Sequence, residues 1–480
     1  MTQIAILSGI YTDQNADVRV SYPRNMMPIA TPNGVSNGYL RPADGIVQFG
    51  SGPGIDRGGI NWNGVCYRVM GTKLVSIDSL GNATTLGDVG GTGLVTFDYS
   101  FDVLAIASGG RLYYWIPVTT PATIDWNPTT PILRQVTDPD LGLVLDVVWV
   151  DGFFMTTDGT SLVVTELLDP MSVNQFKYGT SEIDPDPVVA LFKLRNEIYA
   201  LNRYTIEIFD NVGGSLFPFQ RINGAQIQRG AVGTHAAALF MDNLAFVGSG
   251  RNESVGVYLG ANSQSQHIST TEIDRILSTY TEAQLSAILV ESRLLDGQWL
   301  LYIHLPDRTL VYNGTASQSM QSQVWFELVT SLTDSGQYQA RNFVYCYDQW
   351  LVGNPASAVH GRIVENISSH WGAEVGWEFG TQMLYNEAKG AIFHELELVA
   401  LPGRVALNDA PVVWTSYTLD GETWSQDRPC ALGTIGNRGK RIRWLQQGTM
   451  RQWRAQRFTG LSDCHLSVMR LEATLEPLNV

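Results

Sequence analysis

Short apolar runs separated by tight-turn residues dominate the chain. Strand-like stretches include Val65–Met70, Lys73–Asp78, Leu94–Asp98, Val103–Ala107 and Arg111–Ile116, then Val144–Val150, Gly152–Thr156, Ser161–Glu166, Val188–Lys193, Glu197–Leu201 and Thr205–Phe209. The series continues through Ala237–Met241, Leu244–Gly248, Ser254–Leu259, Trp299–Leu305, Thr309–Asn313, Val324–Val329, Asn342–Tyr347 and Gln349–Gly353. Between them lie Met70-Gly71-Thr72, Ser108-Gly109-Gly110, Asp158-Gly159-Thr160, Asp242-Asn243 and Asp296-Gly297, the residue types that a hairpin turn with positive φ requires. A loose unit recurs: an apolar strand, a Gly or Asp turn, then a strand alternating apolar and polar, as in Gly110-Arg111-Leu112-Tyr113-Tyr114-Trp115 and Arg203-Tyr204-Thr205-Ile206-Glu207-Ile208. Its period of about 40 to 50 residues is that of a propeller blade, a small sheet that needs neighbours to cover both faces. Residues 61–367 have room for six or seven blades.

Three regions depart from this pattern. Residues 1–60, rich in Gly, Pro and Asn, read as an extended N-terminal arm and loops joining the propeller, with no regular structure expected in the Gly50-Ser51-Gly52-Pro53-Gly54 run. Between about 270 and 288 the period becomes helical: Ile273, Ile276 and Leu277 share a face, and Thr281 with Gln284 three residues on has the form of a capping box. This predicts two short helices inserted between blades. From 368 to 480 the alternation is strong again, in Ala391–Leu398, Val412–Leu419, Arg441–Leu445 and Leu466–Leu471, and reads as a C-terminal β-sandwich domain. The fold class expected is therefore all-β, a six- or seven-bladed β-propeller with inserted short helices plus a β-sandwich.

Composition supports strands and tight turns. Charged residues make up 16 % of the 480, against roughly 25 % in ordinary soluble domains, and 47 glycines help to fill the gap. The net charge is −15, from 31 basic and 46 acidic side chains. Nucleic-acid binding gains affinity by neutralising phosphates, so sequence-specific recognition of DNA is not expected. A channel through which DNA must slide is a different case, since its wall works better without attracting phosphate. Cys66, Cys346, Cys430 and Cys464 have no metal-ligand spacing and read as free thiols of a reducing compartment. Met1–Ile10 lacks the basic start of a signal peptide, and Asp146 and Asp151 interrupt the longest apolar stretch, so membrane insertion is not expected.

No reactive constellation emerges. The Gly-rich loops lack the Gly-Lys-Ser/Thr of a phosphate cradle, and no Gly-x-Ser-x-Gly elbow is present. His394-Glu395-Leu396-Glu397 opens like a zinc-protease motif but has Leu398 where the second histidine is needed. Glu182, Asp184 and Asp186 read as a solvated turn split by Pro185 and Pro187, and Asp420-Gly421-Glu422-Thr423-Trp424 as a hairpin capped by Asp and Thr over a packed Trp. No catalytic, cofactor-binding or metal residue is assigned, and no cofactor is expected. The one candidate contact surface is the basic run Arg438, Lys440, Arg441, Arg443, Arg451, Arg454 and Arg457, interleaved with Trp444 and Trp453. It reads either as a patch for an acidic partner or DNA in transit, or as a solvated face of the sandwich.

Segments without chemistry carry a resemblance. Tyr22-Pro23-x-Asn25-Met26 and Ser36-Asn37-Gly38-Tyr39-Leu40-Arg41-x-x-x-Gly45-Ile46 resemble the opening of the packaged-DNA-stabilisation proteins, the tail hub or nozzle of short-tailed, lambdoid-type bacteriophages. Tyr67-Arg68-Val69-x-Gly71-x-Lys73-Leu74, Gly87-Asp88-Val89-x-Gly91-x-Gly93, Gln228-x-Gly230-x-x-Gly233-Thr234, Ile273-x-x-Ile276-x-x-x-Tyr280-Thr281 and Ile303-His304-Leu305-Pro306 follow in the same order. The resemblance implies a non-enzymatic virion protein, assembled in the bacterial host cytoplasm. It implies a ring, a hexamer, that docks under the head-to-tail adaptor. Such a ring extends the channel for double-stranded DNA, supports the tail needle and tailspikes, and retains packaged DNA. The reading from another class is a phage-borne carbohydrate-binding or glycan-cleaving propeller.

Overall fold

The computed structural model describes residues 2–7, 22–31, 36–117, 130–167, 169–333, 336–365, 367–386, 389–403, 405, 410–464 and 466–478. Seven antiparallel sheets follow one another along the chain. The first comprises Asp56–Trp62, Val65–Met70, Lys73–Ile77 and Ala83–Asp88, the second Thr96–Tyr99, Leu104–Ser108, Arg111–Ile116 and Ile132–Gln135. The third runs Asp146–Val150, Phe153–Thr157, Ser161–Glu166 and Asp169–Thr180, the fourth Val188–Leu194, Glu197–Asn202, Ile206–Asn211 and Phe219–Ile227. In the fifth, Gly230–Ala231 and Ala237–Phe240 both pair with Asn243–Ser249, followed by Gly256–Ala261 and Gln264–His267. The sixth has Leu289–Leu295, Gln298–His304, Thr309–Asn313 and Trp325–Leu328. The seventh joins Arg341–Cys346, Gln349–Gly353 and Val359–Val364 to Gly45–Ser51 from far upstream. The strand Gly45–Ser51 reaches into the glycine-rich run that was expected to lack regular structure.

Local chemistry explains the hairpins. The turn after the inner strand carries positive φ at Asn63 and Gly64 in the first sheet, Asp151 and Gly152 in the third, and Asp296 and Gly297 in the sixth. These are the residues that tolerate the left-handed region and match the twist of the strands they join. Helices α1 (Thr271–Ser278) and α2 (Glu282–Leu285) stand where two short helices were expected. Thr281 and Gln284 form the reciprocal capping box. A third helix, α3 (Gly314–Met320), is capped by Asn313 and was not foreseen.

The chain divides into two compact units, one of Met1–Val47, Leu294–Tyr338 and Ile363–Val480, the other of Gln48–Arg293 and Gln339–Arg362. The first unit holds a two-sheet sandwich. One sheet has the order Gly376–Gly380, Trp453–Leu461, Val412–Thr418, Arg428–Ala431. The other is ordered Met26–Ile29, Tyr39–Pro42, Ser467–Pro477, Ala391–Leu401, Ile442–Leu445, with Thr2–Ile4 also on Ser467–Pro477. The first sixty residues, expected as arm and loops, thus supply three strands to a sandwich expected from 368–480 alone. Leu40 pairs with Val468. Between the sheets, Trp377, Phe379, Phe393, Leu396, Trp444, Phe458 and Leu471 are buried, and Phe379 stacks on Phe458 at 5.2 Å. Gly460 lies directly opposite Trp377, and a Cβ there would come within 2.2 Å of the indole.

Candidate assembly surfaces and the closing seam

In the second unit the inner strands of successive blades are tied by polar groups. Asp98 accepts the Trp149 N–H at 2.5 Å and Asp146 the Leu191 N–H at 2.8 Å. Glu291 accepts the N–H groups of Asn342 and Phe343, and Lys193 Nζ donates to the Trp149 carbonyl. Asn61 Nδ2 donates to the Tyr345 carbonyl. Side chains serve here because facing edges of separate sheets cannot complete a backbone ladder, and buried amides must still be paired. Burial pushes the Asp146 carboxyl up to about 7, against the N–H groups of Leu191 and Val147 that donate to it.

The seam between seventh and first blades is built on a wholly buried ion pair. Arg68 Nη1 meets Asp56 Oδ2 at 2.7 Å, with both side chains wholly buried. Arg68 Nη2 donates to the Asn342 carbonyl, Asn342 Nδ2 to Asp56 Oδ1, and Arg341 Nη2 to the Asp56 carbonyl. Burial raises the Asp56 carboxyl above its ordinary value, opposed by Arg68 and Asn342. Around this pair Cys66, Met70, Val75, Val344, Cys346 and Leu351 form an apolar cluster. Burial pushes the Cys66 thiol up to about 11, so it is a packing group and not a nucleophile.

A second junction lies inside the first unit. The main chain of Pro23, Arg24 and Asn25 is inserted between the sixth sheet and the sandwich. Arg24 exchanges backbone hydrogen bonds with Glu378, while the Asn25 N–H donates to the Glu327 carbonyl and the Glu327 N–H to the Pro23 carbonyl. Asn25, at φ 52°, donates through Nδ2 to the carbonyls of Val329 and Gly376 and accepts the Val329 N–H. Arg308 pairs with Glu327 at 3.1 Å and Arg24 with Glu378 at 3.5 Å. Burial raises the Glu327 carboxyl, opposed by Arg308 and Arg24.

The basic run does not form one patch. Arg454 is completely buried: its guanidinium lies 3.8 Å from the Tyr417 ring centroid and 4.3 Å from that of Phe393. It donates to the Gln447 carbonyl and to Gln456 Oε1, and burial lowers its pKa to about 10. Arg457 is half-buried over the Trp424 ring at 4.1 Å. Arg441 makes a bidentate pair with Glu397, and Arg443 reaches Glu395 at 3.4 Å, so acidic neighbours on the adjacent strand offset these cations. Among the described residues, Arg438, Lys440 and Arg451 make no ion pair, and Arg438 and Arg451 are exposed.

The candidates for glycan and metal chemistry also resolve into structure. Asp186, expected in a solvated turn, is buried and accepts the N–H groups of Tyr204 and Thr205. Asp420 accepts the N–H groups of Glu422 and Thr423 and the Thr423 hydroxyl, which together hold its carboxyl well below the usual range. His394 stands on a strand and pairs with Glu476. The seam residues Asp56, Arg68, Arg24 and Asn25 were not singled out from sequence as structural centres. Arg68, a cation in the middle of the apolar strand Val65–Met70, was the available signal.

A family model described as the β-propeller of bacteriophage P22 Gp10 matches residues 2–368, and a second, the β-sandwich of the same protein, matches residues 376–476. The chain belongs to the P22 Gp10 family. Within that family, the tail hub protein gp10 of Salmonella phage P22 is 28 % identical over 465 residues, 94 % of each chain. Among solved structures, the Pan2 WD40 domain of Neurospora crassa is similar with a TM-score of 0.42 at 12 % identity, over 66 % of this chain and 95 % of that one. PorZ of Porphyromonas gingivalis is similar with a TM-score of 0.38 at 11 % identity, over 64 % of this chain and 38 % of that one. The family's propeller and sandwich are the two folds that the strands build here, with seven blade-like sheets among the described residues where six or seven blades were expected. Among the described residues no helix is long and apolar enough to cross a membrane.

Proposed function

We propose that the chain is a structural, non-catalytic component of a phage tail, acting as its hub. The observation that carries this reading is the end-to-end match, 94 % of both chains, to a tail hub protein. In the finer form of the proposal, copies close a ring, a hexamer, under the head-to-tail adaptor. The ring extends the DNA channel, supports needle and tailspikes, and holds the genome by obstruction. Obstruction needs stiffness and wide contacts rather than reactive groups, and permanent assemblies of this kind bury roughly 2,000 Å² or more per interface. The polar ties between inner strands and the buried Arg68–Asp56 pair support stiffness within the second unit. The acidic balance of −15 supports a wall that does not bind phosphate. A phage lacking the gene tests the reading. Heads should fill but leave their DNA open to nuclease, and purified protein added to them should restore protection. A genome that stays protected without the protein would contradict it.

A further inference from the structure

Inner strands of neighbouring blades in the second unit run in the same direction. Asn61 and Tyr345, each near the end of its strand, are hydrogen-bonded, as are Lys193 and Trp149. In a four-stranded antiparallel blade the turns after the first and third strands therefore share one face of the propeller. Asn211 Nδ2, at the end of a third strand, reaches Asp151 Oδ2 in the first turn of the preceding blade at 3.0 Å, as that arrangement requires.

On this face the turn tips of four consecutive blades hold large apolar side chains in solvent. Leu80 is 77 % exposed, Phe101 89 %, Leu167 56 % and Leu216 56 %. The tips are built to hold them there. Asp78 Oδ1 accepts the Leu80 and Asn82 N–H groups, and the Ser100 hydroxyl accepts those of Asp102 and Val103, with Trp62 Nε1 donating to the Ser100 carbonyl. Phe101 leans edge-on to Trp149 with centroids 6.2 Å apart. Single exposed apolar residues are ordinary, but a set shared by successive tips marks an interaction surface. Exposed Asp78, Asp102, Asp151 and Asp210 stand beside them, against the exposed Arg195 in the first turn of the fourth blade, which leaves these tips acidic on balance.

We propose that this face docks a protein surface that has apolar sockets bordered by lysine and arginine. The proposal rests on the tail-hub reading and assigns its docking face. Charge selects the partner: acidic tips repel DNA and the anionic headgroups of a bacterial membrane, whereas a basic protein rim gains both steering and register from them.

The test uses DNA-filled heads of the phage that encodes this chain, made without it, and purified full-length protein. Two variants are compared with the wild type: Leu80→Ser with Phe101→Ser, Leu167→Ser and Leu216→Ser, and separately Asp102→Lys with Asp210→Lys. The serine variant should unfold at the wild-type temperature yet join heads at least tenfold less well. The lysine variant should join at least tenfold more slowly at low salt. Normal incorporation of both variants would overturn the face assignment and leave the hub reading standing. Failure of the wild type itself to join heads would sink the hub reading instead. Sedimentation of the wild type, but not the serine variant, with phosphatidylethanolamine–phosphatidylglycerol vesicles would also overturn the assignment, making the face a lipid contact.

Discussion

The closing seam of the propeller and the outer face of the sandwich both rest on arginine–carboxylate pairs, and the two pairs behave in opposite ways. At the seam Arg68 and Asp56 are fully buried; Asn342 bonds to both of them, and Arg341 donates to the Asp56 carbonyl. On the sandwich, the Arg441 side chain is 52 % exposed against a Glu397 that is 11 % exposed. Desolvation makes the buried pair a poor source of net stability but a costly thing to break, because the survivor has no water to turn to. The exposed pair loses little when cut. Buried charge thus fixes how the seventh and first blades meet. Surface charge on the sandwich contributes little to holding its strands together.

The sharpest break of this contrast is Arg68→Met, which strands Asp56 in the apolar cluster and should cost about 3–5 kcal/mol in chemical denaturation. Adding Asp56→Asn should recover part of the loss. A cost below about 1 kcal/mol would show that the seam tolerates an unpaired carboxyl. Next comes Asn25→Ala, which leaves the Val329 and Gly376 groups unpaired and should cost about 2–3 kcal/mol, read in the same way. Asp146 probes the seams through pH. Its folded pKa of about 7 lies above the unfolded value, so between about pH 4 and 7 the folded state holds more protons and stability falls as pH rises. Wild type should be roughly 2 kcal/mol more stable at pH 5 than at pH 7 from this group, and Asp146→Asn should remove that difference. A variant with an unchanged slope would place the titration elsewhere. Smallest of all, Arg441→Ala and Arg443→Ala should each stay within about 1 kcal/mol of wild type, measured by thermal unfolding.

Most inner and middle strands of the blades were legible because burial on both faces makes them apolar and because Asp-Gly or Asn-Gly turns mark their ends; Asp56–Trp62, read mostly as arm and loops, and Leu289–Leu295 and Val359–Val364 were not. Arg111–Ile116 and Ser161–Glu166 stand where the pattern put them. Outer strands such as Ala83–Asp88 and Gln264–His267 were missed, since a half-exposed edge keeps weak alternation and Gln, Thr and Ser fill it. The N-terminal strands were illegible for another reason: Leu40 finds its partner at Val468, and no local pattern reports a pairing across the whole chain. The seven basic residues looked like one surface because sequence spacing carries no information on facing. Arg454 turns inward between Phe393 and Tyr417, an arrangement that only the folded sandwich reveals. The helices α1 and α2 were readable from their caps, while α3, short and polar, offered no apolar stripe.

Cryo-electron microscopy of intact virions, with the chain labelled by a small C-terminal tag, addresses the structural role most directly. The account predicts copies of the seven-sheeted propeller and its sandwich in a closed ring on the tail axis below the head. Finding the chain at the distal ends of host-contacting fibres, or missing from the particle, would contradict it.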